Sequence, residues 1–236
     1  MSKVKVGIIG ATGYVGVELI RLLNAHPQVE LSAIGSNSFV DKSITEVYPS
    51  VGIGNDMKCM KNEDVIKNSD LIFTALPHGV SEEFVLQAVK EGKKVVDLGA
   101  DFRLKDETTF KEWYNVSFID KKLHEEAVYG LCEHYKDEIK NAKVIANPGC
   151  YVTSISLPLM PLLKEKLIKK EGIVADSKSG VTGAGRGLTL LSHYPEINEN
   201  MVPYKIGNHR HTPEIEEQLG YACGRDDLKL IFTPHL

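Results

Sequence analysis

Lys3-Val4-Lys5-Val6-Gly7-Ile8-Ile9-Gly10-Ala11-Thr12-Gly13-Tyr14-Val15-Gly16 is the stretch whose reading decides the fold. Its first seven residues are a β-rich run, and Val15, Leu19, Leu22 and Leu23 then recur at helical spacing as far as Ala25. Strand, glycine loop and helix follow in the order a dinucleotide site needs. Gly10 permits the tight turn, Gly13 lets backbone approach a pyrophosphate, and Gly16 lets the helix lie close to the strand. The spacing is GxxGxxG, a variant of the commoner GxGxxG, and a plain packing turn is the alternative. The second strand, Val29 to Gly35, ends in Gly35-Ser36-Asn37-Ser38 with Lys42 beyond. An NAD-preferring site places Asp or Glu there for the ribose 2′-hydroxyl. A neutral tip of hydroxyls and an amide suits a 2′-phosphate instead, so the expected cofactor is NADP.

The same alternation continues. Asp70 to Leu76 reads as a strand closed by Pro77-His78-Gly79-Val80-Ser81; a helix is expected from about Glu82 to Glu91, and a strand from Lys94 to Leu98 leads into Gly99-Ala100-Asp101-Phe102-Arg103. Strands and helices at this interval indicate βαβ units in a parallel sheet, whose ligands bind beyond the carboxyl ends of the strands. The turns at Gly10, Ser36, Pro77, Asp101 and Cys150 are therefore expected along one edge. Residues 105–140 are charged and poorly periodic, and read as an excursion over the sheet edge that carries no chemistry.

Ala142 to Ala146 is a short apolar run broken by Asn147-Pro148-Gly149. Cys150 then opens an apolar segment of helix-like spacing from Tyr151 to about Lys166, with Pro158 expected to kink that helix or delay its start. Backbone N–H groups and the dipole at a helix N-terminus favour an anion, so a thiol there is placed to react as thiolate. The alternative is a free cysteine packed as a small hydrophobe. Gly172 to Ser177 reads as a strand leading into Lys178-Ser179-Gly180-Val181-Thr182-Gly183-Ala184-Gly185-Arg186-Gly187, a backbone-rich loop suited to an anion or a nicotinamide ring, or else a hairpin tip. In Gly207-Asn208-His209-Arg210-His211-Thr212-Pro213-Glu214, Thr212 reads as N-cap and Pro213 as the first helical residue. His209 and His211, two apart on extended chain, project from one face. With Arg210 and Glu214 they supply an acid–base group, an anion donor and an orienting carboxylate.

The chain has 236 residues, 42% of them hydrophobic and 25% charged, with a formal net charge of −4. That is an ordinary globular composition; the charge argues against nucleic acid, and the absence of a polybasic run argues against a membrane surface. Cys59, Cys132, Cys150 and Cys223 form no CxxC pair, so neither a disulfide framework nor a metal site is expected. With no signal-peptide core and no bilayer-length apolar stretch, the expectation is a cytoplasmic protein.

GATGYVG, ALPHGVS, LGADFRL, ANPGCY-x-T, KSGVTGAGR and GNHRHTPEIEEQL, in this order along the chain, together resemble the N-acetyl-γ-glutamyl-phosphate reductase family of arginine biosynthesis, relatives of aspartate-semialdehyde dehydrogenase. The resemblance implies an α/β protein: a Rossmann-type NADP-binding domain over 1–149 and an α/β catalytic and dimerisation domain over 150–236. It also implies a homodimer or homotetramer. The second domain is expected to be incomplete, since Leu230 to Leu236 lies within a segment that continues in the family. By the same resemblance Cys150 is the nucleophile, with His209 or His211 handling protons beside Glu214. The expected cofactor contacts are Gly10, Ala11, Thr12, Gly13, Tyr14, Val15, Gly16, Ser36, Ser38, Pro77, Ser179 and Gly180. The substrate contacts are Asn147, Arg186 and Arg210, the arginines for its phosphate or carboxylate. Other readings are an aspartate-semialdehyde dehydrogenase, a reductase of a carrier-bound aminoadipyl phosphate, or a nucleotide-binding fragment without turnover.

Overall fold

The structure, a computed structural model, describes residues 2–49 and 56–236. The alternation read from the sequence builds a six-stranded sheet from β1 (Val4–Ile9), β2 (Val29–Gly35), β3 (Leu71–Thr74), β4 (Lys94–Asp97), β5 (Val128–Tyr129) and β6 (Val144–Ala146). Every pairing is parallel and the order is β2-β1-β3-β4-β6-β5. Between the strands lie α1 (Tyr14–Asn24), α2 (Ile44–Val47), α3 (Asn62–Lys67), α4 (Ser81–Lys90), α5 (Glu107–Tyr114), α6 (Lys121–Glu126) and α7 (Lys136–Asn141).

Both sheet faces are covered, as a parallel sheet requires. Successive residues point to opposite faces, and Ile8 and Ile9 divide accordingly. Ile8 joins Ala11, Ile20, Ile34 and Ile44 on one face, and Ile9 joins Val65, Ile72, Val85 and Val95 on the other. Chain direction across the sheet reverses between β1, which is followed outward by β2, and β3 on its other side. The carboxyl ends of β1 and β3 therefore form the topological switch point, where such sheets bind ligands.

Residues 105–140 contribute more than an excursion: β5 pairs with β6 as the edge strand of the sheet. Two residues are too few for a period-2 pattern, so the sequence gives no sign of it. The segment is tied to α4 through the buried Glu82, whose Oε1 accepts the N–H groups of Ile119 and Asp120, each at 2.9 Å, and lies 3.0 Å from His124 Nε2. The His124 ring stacks on Phe102 and Phe118.

Contacts divide the chain into two units, one of residues 1–107 and 116–147, the other of 108–115 and 148–236. In the second, α8 (Cys150–Lys164) packs on α10 (His211–Cys223), and β7 (Ile173–Lys178) pairs in parallel with β8 (Leu230–His235); α9 (Tyr194–Ile197) lies between β7 and α10 in the chain. The expected late start of α8 is corrected by a helix that begins at Cys150 and continues through Pro158 and Pro161. Its buried side chains, among them Val152, Ile155, Met160 and Leu163, supply the packing that offsets two missing backbone donors. The expected cap of α10 is also corrected. The helix starts at His211, two residues before Pro213, with Arg210 at the N-cap position in helical conformation.

Gly16 sets how closely α1 lies on the sheet: a Cβ there would fall 2.4 Å from the Gly10 carbonyl oxygen. Helix propensity alone makes Gly16→Ala stabilising. Overpacking against rigid backbone should reverse that sign, destabilising the protein by about 1–3 kcal/mol in urea unfolding.

Candidate functional site

In the first unit the glycine loop sits at the switch point. The N–H groups of Gly10 and Ala11 both reach the Gly35 carbonyl, at 3.1 and 2.9 Å, which locks the turn onto β2. Gly10 has φ +83°, and a Cβ there would lie 2.4 Å from the Ala75 carbonyl oxygen, so glycine is required twice over. Gly13 differs. The nearest atom to a Cβ there is the Gly10 carbonyl oxygen at 3.7 Å, an ordinary contact, so packing does not require glycine. It is the N-cap of α1, with no side-chain cap and no acidic residue in the first turn. First-turn N–H groups without a side-chain cap fit a pyrophosphate.

Thr12 Oγ1 lies 2.8 Å from the buried Ser36 Oγ, and Tyr48 Oη donates to the Thr12 carbonyl at 2.9 Å. Ser38 is exposed beyond Ser36, and no carboxylate stands at the end of β2. Both features fit a cofactor with a 2′-phosphate. Ala11 and Gly16 are buried, Tyr14 and Val15 are exposed, and Pro77 is exposed at the end of β3. The turn behind Pro77 is braced by the buried Asp101, which accepts from Gly79 N–H at 2.6 Å and from Ser81 N–H and Oγ at 3.0 and 2.8 Å. Arg103 donates from Nε to the Asn147 carbonyl and from Nη2 to the Leu98 carbonyl, each at 2.8 Å. Asp101 and Arg103 thus hold the loops of this sheet edge, and Asn147 closes β6 with its N–H on the Asp97 carbonyl at 2.8 Å.

In the second unit Cys150 is the first residue of α8 and is exposed, which removes the reading of a packed, inert thiol. Beside it, the Gly149 N–H donates to Oε1 of the fully buried Glu214 at 3.1 Å. Glu214 lies in the first turn of α10, so this bond links the start of α10 to the residue before α8. A Cβ on Gly149 would fall 2.5 Å from His211 Nε2. The imidazole therefore occupies the space a side chain would need, directly against the residue before Cys150.

His209 and His211 meet with ring centroids 4.8 Å apart, but not for the expected reason. The chain between them is turning into α10 rather than extended, and His209 Nδ1 accepts the His211 N–H at 3.0 Å. That side-chain bond caps the helix where Thr212 was expected to. It needs an unprotonated Nδ1. Burial, followed by electrostatic interaction with His211, Lys205 and Arg210, holds His209 down to about 3, so the acceptor stays neutral. An aromatic group that the sequence did not reveal encloses the pair. Tyr151 packs edge-on against His209, His211 and Phe232, and Tyr204 against His209. Tyr151 Oη donates to the His235 carbonyl at 3.0 Å and lies 3.4 Å from Tyr204 Oη. Burial and the neighbouring Tyr151 and Cys150 push the Tyr204 phenol up, so it stays protonated.

The remaining expected residues are held less closely. Ser179 donates its N–H to the His235 carbonyl at 3.0 Å, and Gly180 is exposed beside it. Val181–Ala184 forms a 3₁₀ turn rather than a hairpin tip, and Arg186 is carried on the exposed stretch that follows, outside the packed histidine group. Arg210 is half-buried between the two histidines.

Residues 5–142 match the family model described as semialdehyde dehydrogenase, NAD binding domain, and residues 150–236 the one described as semialdehyde dehydrogenase, dimerisation domain. The chain is 53% identical over 233 residues to N-acetyl-γ-glutamyl-phosphate reductase of Clostridium beijerinckii, spanning 99% of this chain and 67% of that protein. It is 51% identical over 235 residues to the same enzyme of Pelotomaculum thermopropionicum, with the same shares. Among solved structures, aspartate semialdehyde dehydrogenase with NADP from Candida albicans shares the fold at TM-score 0.66 and 17% identity, covering 99% of this chain and 67% of that one. Aspartate semialdehyde dehydrogenase II from Vibrio cholerae does so at 0.71 and 15%, covering 99% and 70%.

A histidine that folding holds down to about 3 from its ordinary 6.5 contributes stability in full above pH 6.5. That contribution is lost as pH falls, because the unfolded chain takes the proton first. His209→Asn keeps an acceptor for the His211 N–H. Urea unfolding at pH 7.5 and 5 should show wild type losing more stability than this variant, and proton NMR should show a His209 ring that does not titrate between pH 5 and 8.

Proposed function

We propose that this chain, which belongs to the N-acetyl-γ-glutamyl-phosphate reductase family, works through a Cys150 thioester with His211 as its acid–base group. The overall reaction is the NADPH-dependent reduction of N-acetyl-L-glutamyl 5-phosphate to N-acetyl-L-glutamate 5-semialdehyde with release of phosphate, a step of arginine biosynthesis. The observation that carries the reading is the union of three groups at one point: an exposed thiol at the first residue of a helix, an imidazole against the preceding glycine, and a buried carboxylate on that glycine's N–H.

The chemistry follows from these residues. The Cys150 sulfur attacks the acyl carbon, a C–S bond forms, the C–O bond to phosphate breaks, and inorganic phosphate leaves. This covalent step divides one difficult reduction into two easier ones. NADPH, when bound, supplies the hydride that reduces the thioester. The oxyanion of the resulting thiohemiacetal develops beside the first-turn N–H groups of α8, which need no reorganisation to stabilise it. His211 moves the proton that this oxygen gains and then loses as the C–S bond breaks and the aldehyde leaves. His209, buried, neutral and already bonded to the His211 backbone, positions its neighbour instead. Glu214 fixes the start of α8 relative to the start of α10. Arg210 holds an anionic group of the substrate, and Arg186 and the Asn147 amide are further substrate contacts.

In this reading residues 1–149 hold NADP and residues 150–236 carry catalysis and subunit contact. In the first unit Gly10 to Gly16 take the pyrophosphate, Ser36 and Ser38 the 2′-phosphate, and Pro77 is a further cofactor contact; in the second unit the cofactor contacts are Ser179 and Gly180. The match of 150–236 to a dimerisation domain supports a homodimer or homotetramer. So does the exposed apolar stretch with Leu188 at 96%, Leu190 at 78% and Tyr194 at 70% exposure. No helix among the described residues is long and apolar enough to cross a membrane, in keeping with a cytoplasmic enzyme.

Cys150→Ala should lower acyl-phosphate reduction by about 10³-fold or more, the scale on which covalent catalysis fails without its nucleophile. NADP affinity, followed by fluorescence titration, should not change. Turnover at the wild-type rate would remove the thioester from the mechanism. Gly149→Ala should push the His211 ring off the start of α8, reducing kcat at least about tenfold while leaving the same NADP affinity.

A further inference from the structure

The mechanism gives no part to α5, yet residues 108–115, which hold all but its first residue, pack with the second unit although they lie between β4 and β5 in the chain. What they bring there is Tyr114. Its side chain is buried, and Phe110 stacks behind it with ring centroids 5.0 Å apart. The Arg210 guanidinium carbon lies over the Tyr114 ring, 5.7 Å from its centroid. Tyr114 Oη also donates to the Arg210 carbonyl oxygen at 3.3 Å. One tyrosine thus holds both the main chain and the charged end of the residue between the two histidines.

We propose that Tyr114 is a positioning residue for substrate recognition, acting through Arg210. The inference rests on the reading of Arg210 as a holder of the substrate's anionic group. A guanidinium held over an aromatic face is attracted by the ring quadrupole. The same guanidinium carries the in-plane donors with which an arginine recognises carboxylate or phosphate, so where Tyr114 places it decides where those donors point. A carboxylate in the ring's place would compete with the substrate anion for the same donors. Phe110, 1% exposed, keeps the ring from turning away, and the hydroxyl bond fixes where the Arg210 side chain leaves the main chain.

The test uses steady-state kinetics of the full chain in the direction of aldehyde oxidation, with N-acetylglutamate semialdehyde, inorganic phosphate and NADP varied separately. Tyr114→Leu removes the aromatic face, and Tyr114→Phe removes only the hydroxyl. The expected result for Tyr114→Leu is a KM about 3–10-fold higher for one anion-bearing substrate, with kcat within about twofold and the KM for NADP unchanged. Tyr114→Phe should show a smaller rise in the same KM. A rise confined to the aldehyde identifies the substrate carboxylate as the group held; one confined to phosphate identifies the phosphate. In a double-mutant cycle with Arg210→Ala, the two losses should be less than additive, since each removes the same contact. Additive losses, or an unchanged KM in Tyr114→Leu while Arg210→Ala raises it, would overturn the role of Tyr114 alone. Unchanged KM values in Arg210→Ala would instead overturn the underlying reading of Arg210.

Discussion

The start of α8 is tied to the start of α10 by one hydrogen bond and one close contact, and the chemistry proposed for the second unit depends on that. The N–H of Gly149 ends on a carboxylate with no exposed surface, and the missing side chain of the same glycine leaves the space in which an imidazole lies. Either contact alone would leave a degree of freedom. A hydrogen bond tolerates rotation, and a van der Waals contact tolerates sliding. Together they fix the distance and the direction from which His211 approaches the residue before the thiol. The helix then presents Cys150 to solvent from a first turn whose N–H groups are not used up by side-chain caps. Catalysis needs this kind of prior placement, because groups held in position lose no entropy at the moment of reaction.

Two adjacent histidines would be hard to separate by chemistry, and the fold separates them by environment. His209 is buried among Tyr151, Tyr204 and Phe232 and spends its Nδ1 on the next helix, so it is held neutral. His211 lies against Gly149, the residue before the first residue of α8. The aromatic enclosure has a second effect. Tyr151 is anchored to the end of β8 through the His235 carbonyl, so the residue following the thiol is tied to a strand over eighty positions later in the chain. Packing and hydrogen bonding thus act on both neighbours of Cys150.

The nucleotide loop of the first unit follows a different logic. Gly10 and Gly16 are required by backbone that a Cβ would strike, and they concern how the strand, the loop and the helix fit together. A Cβ on Gly13 would make only an ordinary contact, 3.7 Å from the Gly10 carbonyl oxygen. The three glycines, equivalent in the sequence pattern, therefore divide into two positions that packing fixes and one that it leaves unconstrained.

The sequence by itself determined the parallel α/β sheet, the glycine loop and the position of Cys150 at a strand-to-helix turn, because each depends on residues within a few positions of one another. Local periodicity and turn chemistry carry such features. It also pointed to the group of His209, His211 and Glu214, though by way of an extended chain that does not exist there. It missed β5, too short for any pattern, and misplaced the start of α10, where a histidine two residues upstream does the work of an ordinary cap. What only the tertiary structure decided is which histidine is buried, what fills the space over Gly149, and that Tyr114, within a stretch without readable chemistry, packs on Arg210. These contacts join positions 62 to 96 residues apart in the chain. Burial and the hydrogen bonds it forces are properties of neighbours in space, and no local pattern encodes which neighbours those will be.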